Sequence, residues 1–201
     1  RFSAFWPNVV QGNMKHTEAA LSPPCPDTGW SQSMRTVRNA VLVPPTVSRM
    51  IQPAGILTSD GDYCAEGALW RKYRAITTAP EAPKTVNNKL AGRWIWGGVR
   101  WSHFGHFLVE STARLWALDH LDAPAEGFVL IPQRPKSGEA VPGYQTEFLR
   151  LFSPDINIRV VAQPTEVDEL SVPGQGFGLG PITRGTQAFR DSIHARFGHD
   201  V

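Results

Sequence analysis

An α/β domain with a mostly parallel sheet is the fold class this sequence predicts, and three observations carry the expectation. Short apolar runs alternate with segments of helical periodicity from Trp94 to Val161, the strand–helix–strand order of a sheet with helices packed on it. Phe128-Val129-Leu130-Ile131 is continuously apolar and stops at Pro132, as a strand buried on both faces does. The first third of the chain is rich in β-branched residues and turn signals, which predicts a β-rich lead-in.

Taken in order, residues 1–33 read as an irregular arm, because Ser22-Pro23-Pro24-Cys25-Pro26-Asp27 cannot be helical. Strands are expected at 36–43 and 55–58, with the Ser59-Asp60-Gly61-Asp62 turn after the second, and another at 68–73. Trp94 to Trp96 forms a strand that Gly97-Gly98 breaks. A single helix then spans 102–120, with Ser102 as its N-cap. Strands at 128–131, 158–161 and 170–172 and helices at 144–152 and 187–197 complete the domain, which covers residues 34–201. The 201 residues suit one large domain.

Composition excludes several function classes. Hydrophobic residues make up 41% and charged residues 19%, which is too apolar for disorder. Net charge is only +2 and no basic cluster of nucleic-acid type appears. The densest basic run, Arg71-Lys72-Tyr73-Arg74, reads as a solvated strand end. No apolar run approaches the roughly 20 residues of a membrane helix. Cys25 and Cys64 lack metal spacing and read as two unrelated thiols, which suggests a reducing, cytoplasmic compartment. There is no P-loop and no G-x-S-x-G elbow. Gly174-x-Gly176-x-Gly178-x-Gly180 departs from the dinucleotide pattern and runs into Pro181, so it reads as a flexible loop.

The chemistry-bearing segment follows the Gly pair. On one helix, His106, Glu110 and Arg114 fall at i, i+4 and i+8 along one stripe, with His103 a turn earlier. Histidine titrates near neutrality and suits general-base work, and a carboxylate one turn away can orient it. Three readings remain open at this point. His106 and Glu110 are catalytic; or Glu110 pairs with Arg114 while His106 packs the first turn; or His103, His106 and Glu110 ligate a metal, although the order lacks the HExxH pattern. Trp94, Trp96, Trp101 and Trp116 flank the segment, and such rings either stack on sugars or fill a core.

The stretch from Trp101 through His106, Glu110 and Arg114 to Leu115-Trp116-Ala117 resembles the HxxxE…R(L)W helix of family 61 glycosyltransferases, whose bacterial members include capsular polysaccharide biosynthesis proteins. A weaker likeness extends from Val41 to Gly180. The resemblance implies a Rossmann-like domain forming one half of a two-domain GT-B enzyme. Such an enzyme moves a sugar from a nucleotide-sugar donor to a glycan or glycoconjugate acceptor with inversion and without cofactor or essential metal. It also implies His106 and Glu110 as catalytic residues, Arg114 as the group that holds Glu110, and Trp101, Ser102 and His103 as binding residues. The family's donor-binding half would follow Val201, which leaves the acceptor side to these residues. The competing expectations are a non-catalytic glycan- or partner-binding module and a metal-dependent hydrolase.

Overall fold

The computed structural model describes residues 30–72 and 74–198. Ten strands occur among the described residues: β1 (Met34–Val43), β2 (Gln52–Pro53), β3 (Gly55–Leu57), β4 (Trp70–Arg71), β5 (Arg74–Ala75), β6 (Thr77–Thr78), β7 (Asn88–Arg100), β8 (Gly127–Pro132), β9 (Ile158–Val160) and β10 (Thr165–Pro173). Six of them form one sheet in the order β3-β1-β10-β7-β8-β9. From β10 to β9 all three pairings are parallel, while β1 is antiparallel to both β10 and β3. The chain is therefore mixed α/β with a mostly parallel sheet and a β-rich lead-in. The expected parallel unit of 94–96, 128–131 and 158–161 is present as β7, β8 and β9.

Every residue of β8 is buried, and the last seven of β7 are too. Both strands therefore lie inside the sheet with neither face solvated. Trp96, Trp116, Phe107, Phe128 and Ile131 fill this core. Trp96 and Trp116 serve packing, and their indole N–H groups are satisfied: Trp96 donates to the Gly67 carbonyl and Trp116 to the Gly174 carbonyl. The amphipathic segment at 144–152 is helix α2 (Gly143–Arg150), and α3 (Gln187–Phe197) begins where Thr186 accepts a hydrogen bond from the Phe189 amide.

Several expectations are corrected. Gly97-Gly98 does not end the strand: β7 runs through both, and the pair marks a register shift against β8. Gly98 takes φ +85, which an L side chain rarely adopts, and a Cβ there would sit 3.3 Å from Arg114 Nη1. The strand at 68–73 is instead a small hairpin of β4 and β5. The helix at 102–120 is not continuous. It opens with one α turn, α1 (Phe104–His106), passes into a π turn over Phe107–Ser111, and resumes as a 3₁₀ turn over Leu115–Asp119. His103 rather than Ser102 occupies the cap position, and no side chain caps it.

Hydroxyls explain the break. Ser111 Oγ donates to the Val99 carbonyl and accepts from the Trp101 amide, which ties the π turn back onto the end of β7. Thr112 Oγ1 donates to the Leu108 carbonyl. Such side-chain bonds compete with the regular ladder and widen it. Arg114 then turns away from Glu110. Its side chain is fully buried, with Nε donating to the Pro173 carbonyl at 3.0 Å and Nη2 to the Ala68 carbonyl at 2.8 Å.

The Gly174–Gly180 segment is also firmer than a flexible loop. The Gly174 amide donates to the Ser33 carbonyl and the Gly176 amide to the Ala113 carbonyl. A Cβ on Gly176 would sit 2.8 Å from Trp116, so glycine permits the close approach. The expected arm of residues 1–33 lies outside the described residues up to 29. Of the rest, Ser31 and Ser33 pair with this Gly-rich loop. Cys25 likewise lies outside the described residues. Cys64 is buried, which pushes its thiol up to about 12 and leaves it unreactive.

Burial holds the Arg114 guanidinium down to about 10, still protonated at neutral pH, with backbone carbonyls in place of a carboxylate. Arg114→Ala should therefore destabilise the fold by about 3 kcal/mol or more in urea unfolding, since the carbonyls lose their donors and a cavity opens. Arg114→Lys should not rescue it, because an ammonium cannot reproduce the planar fork.

Candidate functional site

β7 delivers the chain to Trp101 at its carboxyl end, the end at which open parallel sheets place ligands. The Trp101 backbone is fixed on both sides. Its amide donates to Ser111 Oγ at 2.9 Å and its carbonyl accepts from Gln145 Nε2 of α2 at 2.8 Å. The α turn and π turn that follow carry His106 and Glu110, whose side chains meet: His106 Nδ1 lies 3.1 Å from Glu110 Oε2. The indole of Trp101 stacks on the His106 ring, centroids 4.7 Å apart.

Glu110 is buried, with no side-chain exposure. Its partner is not Arg114, as the helical stripe predicted, but Arg71 of the β4–β5 hairpin. Arg71 Nε donates to Oε1 at 2.8 Å and Nη2 to Oε2 at 2.6 Å, a bidentate pair. The same guanidinium lies over the Trp101 ring at 4.8 Å from its centroid, and Nη2 is 3.2 Å from His106 Nδ1. Arg71 is thus no solvated strand end. Sequence reasoning missed it because its carboxylate lies 39 residues further on. The one signal available was that a carboxylate facing the core requires a cation.

The hairpin that presents Arg71 is clamped by the Gly-rich loop. Gln175 is buried and its amide pairs with both backbone groups of Trp70, accepting from the N–H at 2.8 Å and donating to the C=O at 3.0 Å. The Lys72 amide donates to the Leu179 carbonyl. A side-chain amide in strand-like pairing fixes the hairpin at the position from which Arg71 reaches Glu110.

His106 is the accessible member of the group, with 31% of its side chain exposed. Both of its hydrogen-bonding contacts use Nδ1, so Nε2 is free of protein partners among the described residues. One proton decides between the two contacts. On Nδ1 it is donated to the Glu110 carboxylate and Nε2 keeps a lone pair; on Nε2 it leaves Nδ1 to accept from Arg71.

Among the other expected site residues, His103 is exposed and meets His106 edge-on at 5.4 Å. Ser102 is exposed, and its carbonyl accepts from the Tyr144 hydroxyl. Arg114 is buried elsewhere, between β10 and the lead-in. Phe104, largely exposed, packs against Tyr144 to form an aromatic rim that the sequence reading did not single out. Among the described residues no three His, Cys, Asp or Glu side chains converge as a metal-ligand set, and no helix is long and apolar enough to cross a membrane. Comparison with protein-family models, with curated proteins and with solved structures finds no match.

The two candidate partners of Glu110 are separable by double-mutant cycles. Arg71→Ala should destabilise by about 3–5 kcal/mol, because it strands a buried carboxylate, and most of that loss should disappear in a Glu110→Ala background. Arg114→Ala and Glu110→Ala should instead combine to within about 0.5 kcal/mol of additivity, since they share no partner. Unfolding midpoints of the five variants in urea measure both.

Proposed function

We propose that this chain is the acceptor-side, Rossmann-like domain of an inverting glycosyltransferase of GT-B architecture, with His106 as the general base. The observation that carries the reading is the His106 environment: a half-exposed imidazole held between the Trp101 face and the buried Glu110 carboxylate, at the carboxyl end of a central parallel strand. Inversion needs a base on the side of the acceptor hydroxyl opposite the leaving nucleotide. With its proton on Nδ1 directed at Glu110, His106 offers the Nε2 lone pair to that hydroxyl. As Nε2 takes the hydroxyl proton, the imidazolium is stabilised by the carboxylate behind it.

The choice between His106 and Glu110 as base follows from access. Glu110 is out of reach of an acceptor and both its oxygens are engaged by Arg71, so it is a positioning residue. The same engagement argues against the hydrolase alternative, because a carboxylate neutralised by a bidentate guanidinium is a poor ligand for a cation. Phe104 and Tyr144 provide an aromatic rim suited to a sugar face.

Donor binding is assigned to the second domain of such an architecture. A diphosphate needs free backbone amides at a helix N-terminus or a cluster of cations. Here the Gly174 and Gly176 amides are used within the fold, and the start of α3 is capped by Thr186. The cytoplasm, where nucleotide sugars are made, belongs to the same proposal.

Two measurements test it. In the enzyme with its donor domain present, His106→Ala should lower kcat by roughly two to four orders of magnitude while moving the unfolding midpoint little. A variant that keeps its rate and loses stability would leave His106 a packing residue and favour the binding-module alternative. Calorimetric titration of the chain alone with uridine and guanosine diphosphate sugars should give dissociation constants weaker than about 1 mM, a standard free energy smaller than about 4 kcal/mol. Micromolar binding would put the donor on this domain and overturn the division of labour.

A further inference from the structure

Three exposed segments meet beside the carboxyl ends of β7 and β8: residues 46–51 ahead of β2, 102–105 after β7 and 134–136 after β8. Hydrogen bonds hold them to one another. Gln52 Nε2 donates to the Gln133 carbonyl at 2.8 Å, which ties the end of the first segment to the start of the third. Arg100 Nη2 donates to the Ser137 carbonyl at 2.8 Å, which ties the third to the end of β7, where the second begins. The Tyr144 hydroxyl donates to the Ser102 carbonyl and brings the first turn of α2 alongside.

Apolar exposure is concentrated here. Of the seven large apolar side chains that are exposed among the described residues, five belong to these segments and to that turn: Val47, Met50, Ile51, Phe104 and Tyr144, with Met50 at 77%. The charge is one-sided as well. Arg49, Arg134 and Lys136 are exposed and in no ion pair among the described residues, whereas the surface cations Arg38, Lys89 and Arg196 are each matched by a carboxylate. Arg100 is 3% exposed and donates to the carbonyls of Ser137 and Gly138 rather than to an acid. No aspartate or glutamate occurs in residues 41–59, 88–109 or 127–138. Glu139, the next acid after the third segment, accepts from the Ala162 amide, and Glu147 is exposed one turn beyond Tyr144 on α2.

We infer that this face docks on a membrane surface that carries anionic lipids, with Val47, Met50 and Ile51 entering the headgroup layer and Arg49, Arg134 and Lys136 meeting the lipid phosphates. Grouped apolar side chains mark an interaction surface, and unpaired cations set among them select a partner that offers hydrocarbon and negative charge together. A nucleic acid would use the cations and leave Met50 and Ile51 in water. Long basic side chains can reach phosphates while their stems lie along the apolar layer. The inference goes beyond the transferase reading and does not rest on it. Taken together, the two put the acceptor at the same membrane surface.

Flotation of the chain as it stands with lipid vesicles tests this. It should rise with vesicles of phosphatidylcholine mixed with phosphatidylglycerol and stay behind with phosphatidylcholine alone. Met50→Ser combined with Ile51→Ser should weaken the binding by about tenfold or more, the scale of two partly buried apolar side chains. Arg134→Gln and Lys136→Gln should each weaken it by about fivefold. Raising the salt should weaken it in part, since screening acts on the cations and not on the apolar contacts. All four positions are exposed, so unfolding midpoints should stay with the parent, and the lipid dependence of the parent decides the matter even where a variant does not fold. Equal binding to both kinds of vesicle, or to neither, would overturn the inference. So would anionic binding that ignores the Met50 and Ile51 substitutions, which would mark charge attraction alone. Equally tight, Met50-dependent binding to polyaspartate would mark an acidic protein partner and overturn it too. His106→Ala should bind vesicles as the parent does. A chain that docks while its complete form transfers no sugar would sustain the docking face and defeat the transferase reading, and one that transfers sugar but ignores vesicles would do the reverse.

Discussion

A carboxylate with no exposure to water is tolerated only when its charge and lone pairs are met, and Glu110 is met by the bidentate Arg71 guanidinium, with His106 Nδ1 beside one of its oxygens. Much of the molecule is arranged to keep that partner in place. Gln175 and Leu179 hold the hairpin that carries Arg71. Ser111 holds the π turn that carries Glu110. Trp101 lies beneath the guanidinium and the imidazole alike. The pair thus does two jobs with one geometry: it closes the lead-in onto the sheet, and it gives His106 a defined orientation and an anionic neighbour. A histidine on a simple solvated helix would have neither.

The regular elements were legible in the sequence because their determinants are local. Phe128 to Ile131 is apolar without interruption and bounded by proline, and α3 has a hydroxyl cap at Thr186. Periodicity misled where side chains bond to backbone across the helix. Residues 102–120 repeat their apolar positions at helical spacing, yet Ser111 and Thr112 divert the ladder and Arg114 is drawn to carbonyls of β10 and the lead-in. The i, i+4 contact of His106 with Glu110 survives across the π turn, and that of Glu110 with Arg114 is lost where the chain leaves it. Gly97-Gly98 illustrates the same limit. A glycine pair reads as a break, but a long central strand accommodates it as a shift in register.

The candidate site was half legible for a related reason. His106, Glu110 and Trp101 lie within ten residues and share one segment. Arg71 and Gln145 reach it from separate elements, and the hairpin depends on Gln175, 105 residues away from the backbone it binds. Nothing in Arg71-Lys72-Tyr73-Arg74 distinguishes the first arginine from the others until the fold brings β4 against the π turn.

The placement of β10 has a consequence for how the chain acquires its shape. This strand is the last in sequence but the third in the sheet, wedged between β1 and β7. Emerging from a ribosome, the β7–β8–β9 unit can pair as it appears, whereas β1 finds no central neighbour until residue 173 has been made. Val37 and Ala40 wait more than a hundred residues of synthesis for their partners in β10, whereas Leu42 already pairs with Ile56 of β3. Loop closure of that span is slow relative to local pairing. The lead-in is therefore closed onto the sheet only after β10 is made, and the hairpin bearing Arg71, clamped by residues beyond β10, is completed late.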